Sequence, residues 1–126
     1  MNYSIRKYDP SSDYLPLREI IRSEGEEWKD YLKPDYEKAL AASISYVAVV
    51  EDQLCGYSRS ISDNGLFIWV IDLLVQKDQR GHSIGLALMK CIQKEFPELD
   101  VYVLSDVDEY YEKLGYKKEG SVYKVV

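Results

Sequence analysis

The sequence predicts an α/β domain with a mixed, mostly antiparallel central sheet flanked by helices. Three observations carry that expectation. Residues 45–75 fall into three apolar or alternating runs, "SYVAVVED", "QLCGYSRSIS" and "GLFIWVIDLLV", cut by "EDQ" and by Asp63-Asn64-Gly65, a strong hairpin signal. Ile84, Leu88, Cys91, Ile92 and Phe96 then recur at helical spacing until Pro97 stops the run. Only a short glycine-containing loop separates the two, so sheet passes directly into helix. At 126 residues, with no repeat, low-complexity tract or Gly/Ser-rich linker, the chain reads as one domain over 1–126.

The remaining elements follow in order. "YSIRKYD" alternates as a strand does, and "DPSSDY" is a turn in which Ser12 or Asp13 is placed to cap a helix. That helix runs through "YLPLREIIRSEG", with Leu17, Ile20 and Ile21 on one side and Gly25 as its stop. "EEWKDYLKP" fits no single period, while "DYEKALAAS" after Pro34 reads as a second short helix. Three antiparallel strands and the long helix come next. "LDVYVLS" is a short apolar strand of the buried kind, "DVDEYYEKLG" a helix with Gly115 at its end, and "YKKEGSVYKVV" a closing strand. An exposed strand at Tyr116 to Val126 would offer an edge for a homodimer.

Composition narrows the class of protein. Hydrophobic residues at 46% and charged ones at 30% are globular values, and no apolar run approaches the length of a membrane span. The polar start "MNYSIRKYDPSSDY" has no apolar core of a secretion signal, and Cys55 and Cys91 lack the spacing of a disulfide framework or a zinc site. The expected location is the cytoplasm, and no metal is expected. Twenty-two acidic against sixteen basic residues, a formal charge of -6, argue against nucleic acid or an anionic membrane as partner and favour cationic ones.

The loop within "QKDQRGHSIGLALMK", Gln76 to Lys90, joins a strand ending at Val75 to a helix starting near Ser83 or Ile84. Free backbone N–H groups at a positive helix terminus bind anions. Neither the Gly-Lys-Ser/Thr of a Walker loop nor a GxGxxG pattern is present, which leaves Arg80-x-x-Ser83-x-Gly85. On these residues alone, a phosphate seat and an ordinary strand-to-helix turn both remain open.

"LLVQKDQRGHSIGLALMK" resembles the acetyl-CoA loop of the GNAT superfamily of N-acetyltransferases, [Gln/Arg]-x-x-Gly-x-[Gly/Ala], in its wider form "LxVxPxxRGxGIGxxLM". Downstream, "EYYEKLGYKKEG" is similar to that family's "xFYEKLGFxxxG". The likeness extends from about Ser45 to Gly120. Ser83 stands where the middle glycine is usual, Lys77 where a proline is common, and Ser105 or Asp106 where an asparagine is frequent.

The resemblance implies acetyl-CoA as cosubstrate and direct attack on it by a primary amine, carried by a small molecule or exposed on a protein. It places the pyrophosphate over the backbone of Arg80, Gly81, His82, Ser83, Ile84 and Gly85, with Arg80 adding charge. The pantetheine arm then runs along Leu73, Leu74 and Val75 like an added strand. Tyr111 matches the family's proton donor to the leaving thiolate, and Tyr110 would sit in the core. Asp72 is the carboxylate nearest in sequence to the reacting strand: a base or amine anchor on one account, a polar residue beside a bulge on the other. Glu24, Glu26 and Glu27 form either an acidic mouth for a cationic substrate or a solvated charge run. A non-catalytic acyl-CoA sensor or partner module is the alternative to an enzyme, and an unrelated nucleotide-phosphate binder is a third reading.

Overall fold

Hairpin chemistry builds most of the sheet. The computed structural model describes residues 2–126. It contains β1 (Tyr3–Lys7), α1 (Tyr14–Ser23), a 3-10 segment (Glu26–Leu32), α2 (Pro34–Ala42), β2 (Ile44–Val50), β3 (Gln53–Ser62) and β4 (Ile68–Val75). A 3-10 turn (Lys77–Gln79), α3 (Ile84–Glu95), β5 (Val101–Val103) and α4 (Asp108–Lys113) follow. The strands lie in the order β1-β2-β3-β4-β5. The first four pair antiparallel and β5 pairs parallel to β4, so the sheet is mixed and mostly antiparallel. Between β3 and β4, Asn64 and Gly65 take the left-handed conformation (φ 62° and 83°) that the Asp-Asn-Gly turn supplies. The Asp63 carboxylate fastens that turn, accepting from Phe67 N at 2.6 Å.

Helices cover both faces. On one, Leu17, Ile20 and Ile21 of α1 and Tyr36 and Leu40 of α2 pack with Val47, Tyr57 and Leu74. On the other, Ile84 and Leu88 of α3 pack with Ala48 and Cys55, and Leu73 and Val75 lie against them. Cys55 is buried and Cys91 half-buried, both as free thiols. No helix among the described residues is long and apolar enough to cross a membrane.

One irregularity decides where side chains point. Arg59 pairs with Asp72 but Ser60 pairs with Val70, which leaves Ile71 as an extra residue, a β-bulge. Paired residues share a face, so the bulge inverts the alternation of β4. Asp72 and Leu74 consequently stand beside Arg59 and Tyr57 on the α1/α2 face, while Leu73 and Val75 face α3.

Three local expectations change. The closing strand is not formed: residues 116–126 are irregular, and Val122, Tyr123, Val125 and Val126 are exposed. An extended segment without a hydrogen-bonded neighbour has nothing to hold it as a strand. The apolar strand in "LDVYVLS" shortens to three half-buried residues at the sheet edge. Asp13 occupies the N-cap position of α1, yet its side chain caps nothing. Its carboxylate instead takes a two-pronged ion pair from Arg6 (2.6 and 2.9 Å) and the N–H of Asp9 (2.7 Å), a stronger set of bonds than a single cap.

The Arg6 hydrogen bond, chiefly, holds the Asp13 carboxyl below the usual aspartate range. With the folded value below the unfolded one, the stabilisation is complete above the unfolded pKa of about 4 and is lost as pH falls through the lower folded value. Asp13→Asn should cost about 1–2 kcal/mol near neutral pH, since Arg6 is partly solvent-screened. The cost should vanish in acid, as measured by urea unfolding of both proteins from pH 7 to pH 2.5.

Candidate active site

β5 accompanies β4 only briefly. The paired positions are Ile68–Val101, Trp69–Tyr102 and Val70–Val103, and a last bond runs from Leu104 N to Val70 O at 3.0 Å. Beyond it β4 continues through residues 71–75 with that edge unpaired. The Val75 carbonyl lies on the free edge, where it accepts from Arg80 Nε at 2.8 Å. Strand alternation turns the backbone groups of Leu73 the same way, while Leu74 turns toward β3. Leu73 and Val75 thus offer donors and acceptors to an extended ligand laid alongside, as an edge strand does.

The edge leads into the start of α3. Gly81 (φ 85°) and Ser83 (φ 62°, ψ 22°) both take left-handed conformations, and Ser83 is the N-cap with no side-chain cap bond. The first intrahelical bond runs from Ala87 N to Ser83 O. The N–H groups of Ser83, Ile84, Gly85 and Leu86 therefore have no acceptor within the helix and form its positive end. The Ile84 side chain is buried in the core, so only its backbone serves the loop, and His82 is exposed. Gly85 leaves room for a neighbour: a Cβ there would meet Tyr110 Oη, so a larger residue would have to push that partly exposed ring aside. The Arg80 guanidinium is already engaged: its Nη2 donates to Glu24 Oε1 at 2.7 Å, beside the Nε bond to the Val75 carbonyl.

On the α1/α2 face below this edge lies a buried polar cluster. Asp72 Oδ2 accepts from Arg59 Nε and from Tyr36 Oη, each at 2.6 Å. With the Tyr36 proton committed, Tyr57 Oη must be the donor in its 2.8 Å bond to Tyr36 Oη. Burial first, then mutual repulsion and the Asp72 charge, push the Tyr36 phenol far above its ordinary pKa. Burial and Asp72 likewise raise Tyr57, so both remain proton donors at neutral pH. Arg59 lies over the Tyr36 ring and reaches Ser43 Oγ at 3.3 Å. Among the described residues no hydrogen bond ends on Asp72 Oδ1, whereas Oδ2 carries two. Trp28 and Tyr31, 5.0 Å apart, extend the aromatic contacts from Tyr36 toward the surface.

α4 supplies two phenols. Tyr111 is buried, stacked on Tyr116 and met edge-on by Tyr110. Burial above all keeps its phenol protonated well past its ordinary value. Tyr110, expected in the core, is 40% exposed instead. Its hydroxyl lies over Gly85, and the Leu73 side chain is close by. Ser105, where an asparagine is frequent, caps its own turn, accepting from Val107 N and donating to Asp108.

The sequence profile of the "Acetyltransferase (GNAT) domain" family matches residues 41–118, well over half of the chain. The chain belongs to the GNAT acetyltransferase family. Its fold is similar to that of a GNAT family acetyltransferase from Streptococcus pneumoniae, with TM-score 0.77 and 21% identity over 98% of each chain. It also resembles a ribosomal-protein-alanine N-acetyltransferase from Brucella melitensis, with TM-score 0.76, 19% identity and 99% of each chain covered. An aminoglycoside 6'-N-acetyltransferase complexed with coenzyme A matches at TM-score 0.75 and 24% identity, over 93% of this chain and 86% of that one. An uncharacterized N-acetyltransferase of Porphyra purpurea is 28% identical over 72 residues, 53% of this chain. The alignment spans only 41% of that relative's length.

Within this GNAT fold, the motif residues Leu73, Val75, Gly81, Ser83, Ile84 and Gly85 converge on one edge and one helix terminus, whereas Leu74 turns its backbone toward β3 and its side chain into the α1/α2 core. The motifs did not reveal Arg59, Tyr36, Tyr110 or the Glu24 contact. For Arg59 a signal existed, since a charged residue inside the β3 run "QLCGYSRSIS" needs a buried partner. Ser83 should carry about 1–2 kcal/mol of left-handed strain. Ser83→Gly is therefore expected to raise the melting temperature by a few degrees, partly offset by the entropy of the unfolded glycine. A calorimetric scan with no rise would mean that the entropy of the unfolded glycine cancels the relieved strain in full. Asp72→Asn, which leaves the buried Arg59 without its counter-charge, should destabilise by about 3 kcal/mol in urea.

Proposed function

We propose that residues 1–126 form one N-acetyltransferase domain that moves the acetyl group of acetyl-CoA to a primary amine by direct attack in a ternary complex. The unpaired edge of β4, leading straight into the open N-terminus of α3, is the observation that carries this reading. Acetyl-CoA supplies the activated thioester, and the residues present fit it: Leu73 and Val75 with backbone groups for an extended arm, Ser83 to Leu86 with N–H groups for a pyrophosphate. The Leu73 N–H is oriented to stabilise a developing oxyanion. Asp72 Oδ1 attracts the ammonium of the acceptor and takes its first proton, directly or through water, so that the neutral amine attacks; the second proton, lost once nitrogen has bonded to the acetyl carbon, leaves through water as the carbon–sulfur bond breaks.

Tyr111 donates to the leaving sulfur. A phenol with a raised pKa does not give up its proton readily to a thiolate whose conjugate acid titrates at about 8.5. Its contribution is accordingly a hydrogen bond that strengthens as the carbon–sulfur bond breaks. A net charge of -6 supports a cationic acceptor, either a small molecule or an amine on a protein surface.

The test is thiol release from acetyl-CoA across a panel of amines. Tyr111→Phe should slow transfer about ten-fold or more with coenzyme affinity unchanged, and Tyr110→Phe should leave the chemical step intact. An unaltered rate in Tyr111→Phe removes that residue from the mechanism. Calorimetric binding of CoA with no acetylation of any amine would replace the enzyme with an acyl-CoA sensor.

A further inference from the structure

Arg80 provides the guanidinium of the coenzyme loop, yet it is occupied elsewhere. Its Nε donates to the Val75 carbonyl at 2.8 Å and its Nη2 to Glu24 Oε1 at 2.7 Å. The bridge joins the end of α1 to the loop across the free edge of β4, the edge that the proposed function assigns to the pantetheine arm. Glu24 is not a surface partner: its side chain is 8% exposed against 47% for Arg80. Its second oxygen, Oε2, is buried with no hydrogen-bond partner. A contact selected for stability alone would satisfy both oxygens, because a buried carboxylate oxygen without a donor is unfavourable. Directly after it, Gly25 adopts φ 99°, a conformation glycine takes without strain.

We propose that Glu24 is a positioning residue that sets coenzyme affinity by holding Arg80 across the β4 edge, so that the coenzyme's pyrophosphate must take the guanidinium from it. The inference rests on the reading of the loop as a coenzyme seat. The exchange is chemically matched, since a planar guanidinium leaves one carboxylate oxygen and one carbonyl for a diphosphate that accepts it on two oxygens with more charge. While the bridge is closed, the binding-competent fraction is small. The apparent dissociation constant is the intrinsic one divided by that fraction.

Calorimetric titration of CoA into the whole chain decides the matter. Removing the competitor in Glu24→Ala and in Glu24→Gln should tighten CoA binding about three- to ten-fold, as expected when a binding-competent fraction of roughly a tenth to a third becomes the whole population. Arg80→Ala should weaken it, and Glu24→Ala combined with Arg80→Ala should bind as Arg80→Ala alone does. A role in folding only would lower the melting temperature and leave affinity equal or weaker, and that result in both Glu24 variants overturns the proposal. Should the wild-type chain bind no CoA, the functional reading itself falls; should it bind while the Glu24 variants fail to tighten, only this inference falls.

Discussion

The parting of β4 from β5 after Val70 is the constraint on which the proposed coenzyme seat depends. A parallel pair of strands needs a crossover, and here α3 provides it, returning the chain from Glu95 to Val101. The bulge at Ile71 bends and twists β4 at the very place where β5 stops following it. One irregular residue thus performs two tasks. It frees the backbone groups of Leu73 and Val75, and it turns Asp72 to the face opposite them. Without the inversion, Asp72 would lie on the α3 face with Val70, and Arg59 would be buried without a counter-charge.

The elements were legible because their signals are local. The Asp-Asn-Gly turn, the helical spacing from Ile84 to Phe96 and the glycine at 115 each determine a conformation within a few residues. The bulge was not legible: burial along β4 alternates strictly from Ile68 to Val75 even though the faces invert at Ile71. Alternation of apolar residues therefore reported that β4 is a strand but not which helix each side chain meets. The six residues of α4 are too few for periodicity to separate a buried from an exposed tyrosine. Only the resemblance of "EYYEKLGYKKEG" to the family motif places Tyr110 inside and Tyr111 at the site. In the structure, Tyr111 is the more buried ring and Tyr110 is the one that reaches Gly85.

The loop shows the same division between local and distant causes. Its glycine-like conformation at Ser83 follows from the strand-to-helix turn itself, and the serine accepts a backbone angle that glycine would take freely. The placement of Arg80 has a distant cause. Glu24 lies 56 positions earlier in the chain, and only the packing of α1 on the sheet brings its carboxylate to the loop. Charge read along the loop assigns Arg80 to a phosphate; charge read across the fold shows that Glu24 already holds it.

On the proposed reading of Asp72, the buried cluster would both admit an ammonium and help to discharge it. Arg59 and Asp72 together are neutral, so the pair presents no strong net field to an approaching cation. The attraction is confined to Oδ1, since Oδ2 is occupied by Arg59 and Tyr36. A nitrogen that reaches Oδ1 comes near the Arg59 guanidinium as well, and a like charge close by disfavours its protonated form. Tyr36 and Tyr57 cannot take the proton, because burial keeps both phenols protonated. Within this cluster the proton is left to Asp72 or to water. In the proposed reaction the Arg59–Asp72 pair would therefore act on the acceptor as a local gradient: Oδ1 would draw the ammonium in, and the adjacent guanidinium would make the neutral, nucleophilic amine easier to reach.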